Sequence, residues 1–258
     1  ASGNGSTPSS RCRRYRLAIV ADGSSTDRIT AAPSGDATEA IRLGAGFVRK
    51  PHPMVLWMVT SDAIKRQTVE ALKDVKHPYR QRLDAVTGGR TRVFDIEEFE
   101  TLRPSDIGRF TCVIVATIQS FRVTDTTQRK VYAYQEEFEP HFSGLPTEGM
   151  ELVTAADAAR EPLLAGREGT VKFSFANLMY HHRPLMIVDE AHNAVTGLSR
   201  EMQARLRPSA IIEFTATPRG RNNILHSVTA SALKDEEMIK LPIHLTQHTG
   251  WESAIIHA

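Results

Sequence analysis

A chain of 258 residues, 41% hydrophobic and 24% charged, has an ordinary globular balance and room for one large domain or two small ones. Its net charge of +2 is too small to mark a nucleic-acid binder by itself. Cys12 and Cys112 build neither a disulfide framework nor a metal cage, and no apolar run approaches the roughly 18 residues of a membrane helix, so a cytoplasmic protein is expected.

Residues 1–39 are rich in Ser, Gly, Thr, Ala, Arg and Asp and show little hydrophobic periodicity. They are expected to be disordered or non-native, with "RLAIVA" a short strand at most. Arg11, Arg13, Arg14 and Arg16 precede the apolar patch Leu17–Ala21, which is too short for a signal-peptide core. From Ala40 the pattern changes. "EAIRLGAGFV" has helical spacing, and "KPHP" is a loop. Met54–Val59 is continuously apolar between turn residues, the pattern of a strand covered on both faces. A helix follows, capped by Ser61 or Asp62.

"TRVFDI" and "FTCVIVAT" read as two more strands, the second ending near Thr117. Residues 124–170 are polar and irregular, with one helix expected around Asp125–Glu139. "LMIV" and "AIIEFT" are again buried strands, joined by a helix over "GLSREMQARL". Beyond residue 219, "ASALKDEEMIK" is helix-like and "LPIHL" is a possible strand. Strands alternating with helices, and apolar throughout, indicate an α/β fold with a parallel sheet.

Ligands of open α/β sheets bind at the carboxyl ends of the strands. Four polar clusters follow strands here: Thr60-Ser61-Asp62, Thr117-Ile118-Gln119-Ser120, Asp189-Glu190-Ala191-His192 and Thr215-Ala216-Thr217. In a parallel sheet they share one edge. One acid of such a pair can hold Mg²⁺ through water while its neighbour polarises the water that attacks a γ-phosphate. The bland alternatives are specific too. Acids favour helix N-termini, and Thr60-Ser61 suits a helix cap. His181-His182 is expected in a surface loop, Trp57 in the core, and Cys112 as an inert buried thiol.

"VDEAH" resembles motif II of superfamily 2 helicases, and "FTATP" resembles motif III. "LWMVTSDAIKRQTVEAL" and "VIVATIQSFR" are similar to the DNA-contacting motifs between them and the chain start. With "LSREMQARLRPSAIIEFTATP", the pattern over about residues 40–245 looks like the restriction (Res) subunit of type III restriction–modification enzymes. The resemblance implies a RecA-like first motor domain over 40–245, helices on both faces of a parallel sheet, and a tail over 246–258 beginning a further region. It implies ATP and Mg²⁺ as cofactors, and double-stranded DNA and a Mod methyltransferase as partners. Asp189 would hold Mg²⁺, Glu190 would activate water, and His192 would couple the nucleotide site to the next motif. Thr215, Ala216 and Thr217 would link hydrolysis to DNA movement, with Thr60, Ser61, Thr117 and Gln119 on the DNA track.

The family pattern also requires a phosphate-cradling G-x-x-x-x-G-K-[ST]. No lysine of this chain follows a glycine. "DAVTGGRT", Asp84–Thr91, imitates it poorly and reads as a turn into the next strand. The loop belongs upstream of Met54, where Pro33, Ser34, Gly35 and Asp36 stand instead, a composition that a shifted reading frame would give. The resemblance also implies a second motor domain and a nuclease domain, for which no room is expected after "FTATPRGRNN". Two functions remain open: an ATP-dependent DNA translocase motor fragment, or a non-enzymatic remnant that binds DNA or a partner.

Overall fold

Runs that are apolar or nearly so become strands that are buried on both faces, and this chain has four of them. In the computed structural model, which describes residues 13–19, 33–121, 129–190, 197–215 and 223–228, each occupies the centre of one sheet. The elements are β1 (Arg13–Ile19), α1 (Pro33–Val48), β2 (Met54–Val59), α2 (Asp62–Lys73), α3 (Pro78–Thr87), β3 (Thr91–Asp95) and β4 (Thr111–Thr117). There follow α4 (Glu139–Phe142), α5 (Ala155–Arg160), α6 (Phe175–His182), β5 (Leu185–Val188), α7 (Gly197–Leu206), β6 (Ala210–Thr215) and β7 (Asn223–Val228).

The seven strands lie in the order β3-β4-β2-β5-β6-β1-β7, and every adjacent pair is parallel. Alternate residues feed two cores. Leu56, Met58, Ile114, Met186 and Ile211 face Phe138 and Phe175, together with Met202 and Leu206 of α7. Val55, Trp57, Val59, Val115, Ile187 and Ile212 face Ile41 of α1, Val69 and Leu72 of α2 and Leu83 of α3. Trp57 is therefore core. So is Cys112, whose thiol burial pushes up to about 12, with the charge of Asp106 adding to the effect. The architecture is RecA-like: a parallel sheet with helices on both sides.

Several expectations are corrected. The expected helix over Asp125–Glu139 is not formed in its described part; short 3-10 turns at Lys130–Tyr132 and Glu136–Phe138 replace it. Tyr132 and Phe138 are fully buried there, so anchoring two aromatics takes precedence over helical propensity. Residues 1–39 are not wholly disordered, because Arg13–Ile19 pairs with both β6 and β7, and α1 starts at Pro33. Partnership from strands about 200 residues away, invisible to local composition, orders that segment. His181 and His182 end a helix rather than sit in a loop, with rings 4.8 Å apart. Burial, with the charges of His181, Lys50 and His141, lowers the His182 pKa to about 4.

Helices α3 and α6 and strand β7 have no counterpart in the sequence reading. Helix α3 starts at Pro78, is capped by the His77 ring and ends on Gly88 at φ 64°, so Asp84–Thr91 is a helix end and turn. Helix α6 is capped by Ser174, whose hydroxyl accepts from the Asn177 amide. The irregular region before it is fixed by a buried ion pair, Lys172 Nζ to Asp157 Oδ1 at 2.6 Å. The stretches "ASALKDEEMIK" and "LPIHL" lie outside the described residues.

Helices α1, α6 and α7 are each followed by an arginine in the left-handed region: Arg49 at φ 55°, Arg183 at 52° and Arg207 at 46°. Glycine is the default there, and a side chain costs on the order of 1 kcal/mol.

Candidate functional site

Strand register puts the polar clusters on one edge. Met58 of β2 is level with Val188 of β5, which is level with Glu213 of β6. One step further, the Asp189 amide donates to the Met58 carbonyl at 2.9 Å, which continues the ladder past the end of β5. On the other side of β5, Thr215 closes β6 two residues after Glu213, the partner of Val188. On the other flank Val59 pairs with Thr117, which closes β4 at the same height. The carboxyl edge thus carries, from β4 to β6, Thr117, Thr60 and Ser61, the Asp189-Glu190 pair, and Thr215.

The acid pair sits in a tight turn. Glu190 has φ 48°, a left-handed conformation for a residue with a side chain, and its amide donates to Asp189 Oδ1 at 3.0 Å. Both residues are half-buried. Burial raises the Asp189 pKa from its ordinary value, and the adjacent Glu190 charge adds to this. A backbone strained in this way commonly marks a functional turn.

The other predicted residues divide by exposure. Ser61 caps α2, its hydroxyl accepting from the Ile64 amide at 3.4 Å. Thr60 is half-buried. Thr117 is buried, with its hydroxyl 3.1 Å from that of Ser120. That contact shapes the one-turn helix Ile118–Ser120, from which Gln119 is exposed. Thr215 is buried. His192, Ala216 and Thr217 lie outside the described residues.

The sequence reading missed Lys65 and Glu213. Lys65, on the first turn of α2, is buried at this edge with Nζ 2.9 Å from Asp95, 3.6 Å from Glu97 and 3.8 Å from Asp62. Burial opposes its charge, but the hydrogen bond to Asp95 and the three acidic charges outweigh it and raise its pKa. Its place in the helical apolar stripe was the available signal. Glu213 is buried within β6, one step below Phe214, and its acid in an otherwise apolar run was legible.

Two carboxylates at a strand end, with no cluster of three or more His, Cys, Asp or Glu among the described residues, suit a cation that is shared with phosphates. That is the donor set of Mg²⁺, and the residues fit it. For the triphosphate the fit is partial. No Gly-Lys exists in the chain, and residues 20–32, between β1 and α1, lie outside the described residues.

A parallel RecA-like sheet with an acid pair and a threonine on adjacent strand ends defines a helicase-like motor domain. The chain belongs to the family of the type III restriction enzyme res subunit, whose model matches residues 40–220, more than two thirds of its length. Among curated proteins, none matches the chain. No helix among the described residues is long and apolar enough to cross a membrane.

Proposed function

We propose that this domain is the ATP-hydrolysing unit of a DNA-translocating motor that serves restriction together with a Mod methyltransferase. The observation that carries the reading is the register that ends β5 and β6 on the same edge, so that Asp189-Glu190 follows Val188 directly and Thr215 closes the neighbouring strand two residues past Glu213, the partner of Val188. When bound, Mg²⁺-ATP supplies the phosphoanhydride bond whose cleavage drives movement. Asp189 would hold the cation, whose charge would favour the ionised carboxylate against the burial that raises its pKa. Glu190 takes the proton of the attacking water. Thr215, with Ala216 and Thr217 after it in sequence, would link hydrolysis to DNA movement, and His192 would couple the nucleotide site to that motif. Thr60, Ser61 and Gln119 face the DNA backbone as uncharged hydrogen-bonding groups, and Thr117 holds the turn that presents Gln119.

A second reading is favoured by one observation, the absence of any Gly-Lys. It is a DNA-binding module of the same descent that does not hydrolyse ATP. A single assay separates the two. ATP hydrolysis is measured with and without duplex DNA, for the natural chain and for Glu190→Gln. The motor reading expects DNA-stimulated hydrolysis that falls about 100-fold or more in the variant. No hydrolysis in either protein, with DNA affinity indifferent to Mg²⁺-ATP, rejects it in favour of the module.

A further inference from the structure

The opposite edge of the sheet has its own chemistry. An exposed or half-buried arginine stands in the turn leading into each of five successive strands: Arg90 before β3, Arg109 before β4, Arg49 before β2, Arg183 before β5 and Arg207 before β6. These residues are scattered through the sequence, and the parallel topology alone collects them. With strands about 4.8 Å apart, the row spans about 19 Å.

None of the five forms an ion pair with a described carboxylate. The acids of this edge are engaged elsewhere: Asp84 with Arg80, Asp106 with Arg92, and Asp74 with the Lys76 amide. Lys50, beside Arg49, donates among the described residues to the His182 carbonyl, and the nearby Arg183 charge helps burial to lower its pKa. Arg183 Nε is buried with no hydrogen-bond partner. Backbone strain is an independent observation. Of the four non-glycine residues with positive φ among the described residues, three are Arg49, Arg183 and Arg207. Glycine would relieve the strain and lose the charge. Arginines also complement helix carboxyl ends, but Arg90 and Arg109 follow glycines in turns and cap no helix.

We infer that this amino edge is a second nucleic-acid surface, which binds the phosphates of duplex DNA on the side of the sheet away from the acid pair. An arginine row is suited to phosphate oxygens. Of the exposed large hydrophobics, only Val75 stands beside an acid of this edge, and a single exposed side chain does not make the apolar centre that a protein interface needs. About 19 Å of duplex presents phosphates from five or six base pairs. The surface does not depend on ATP hydrolysis, so it stands or falls separately from the motor reading.

The test uses the full chain, a labelled duplex of about 20 base pairs and no nucleotide, with affinity followed from about 50 to 200 mM salt. The variant is Arg49→Gly, Arg90→Gln, Arg109→Gln and Arg207→Gly combined. We expect the slope of log affinity against log salt to become shallower by about 3, and low-salt affinity to fall at least about tenfold. The proposed contacts at the carboxyl edge are uncharged and leave that slope alone. An unchanged slope in a variant with the natural circular dichroism overturns the inference. So does competition by polyglutamate as effective as by unlabelled duplex, which would assign the edge to an acidic protein. If the fourfold variant does not fold, Arg90→Gln with Arg109→Gln lies outside the helix caps and should make the slope shallower by about 2. No change in that pair rejects the surface equally.

Discussion

The two edges of this sheet are built from the same strands and carry opposite charge. At the carboxyl edge Asp62, Asp95, Glu97, Asp189 and Glu190 gather, and a single buried lysine, Lys65, answers three of them. At the amino edge five arginines stand without a carboxylate partner. A net charge of +2 conceals this separation, because the two edges nearly cancel in the sum. Composition therefore understates how strongly a folded chain can attract a polyanion on one side and a cation on the other. The backbone is strained on both sides, at Glu190 on one edge and at Arg49, Arg183 and Arg207 on the other, and each site holds charge where glycine would be easier.

The contrast can be broken most strongly at Lys65. Lys65→Met leaves Asp95 facing Glu97 and Asp62 with no cation between them. We expect a loss of about 2–3 kcal/mol, below the full range for a buried pair because Asp62 and Glu97 are largely exposed. Urea unfolding reads it directly, and a loss within error would mean the lysine does not organise this edge. The raised pKa of Lys65 means that its contribution is fully present below 10.5 and fades only as pH rises through the higher folded value. The deficit of the variant should therefore be constant from pH 6 to 9.

A smaller effect is expected at Thr117. Thr117→Val removes its contact with Ser120 at the base of the Gln119 turn and should cost about 1 kcal/mol. If DNA-linked activity falls while stability hardly changes, Thr117 touches DNA itself rather than shaping the turn. At the amino edge, Arg49→Gly should raise stability by about 0.5 kcal/mol, since relief of the left-handed strain exceeds glycine's entropic penalty. Thermal unfolding decides the sign. A clear loss would show that helix capping, not ligand charge, keeps the arginine in place.

An effect of similar size belongs to Asp189 in the absence of nucleotide. Its raised pKa means that the folded state binds its proton more readily than the unfolded chain, so ionisation disfavours folding above the folded value. Asp189→Asn should be slightly more stable than the natural chain at neutral pH, by up to about 1 kcal/mol. That advantage should vanish as pH falls below the unfolded value near 3.8. Added Mg²⁺ should shrink it as well, and indifference to Mg²⁺ would argue against a cation at this carboxylate.

Much of the fold was legible in order along the chain. Strands β2 and β5 are uniformly apolar and β4 and β6 nearly so, the pattern that burial on two faces imposes on a parallel sheet. Ser61 announced its helix, and "LMIV" running into Asp189-Glu190 announced the acid turn. Apolar periodicity and caps are properties of neighbouring residues, so a sequence displays them. It could not show that Arg13–Ile19 joins β6 and β7, since the partners that order that strand are remote. Nor could it show that Tyr132 and Phe138 would exchange a helix for two anchored turns. The basic edge belongs wholly to the tertiary structure. Arg49, Arg90, Arg109, Arg183 and Arg207 are ordinary charges until parallel crossovers return the chain to the same edge before every strand. The sequence by itself determined which segments are buried and where the acids fall along the chain. Only the folded sheet decided which distant charges become neighbours, because electrostatic energy depends on separation in space and not on separation in sequence.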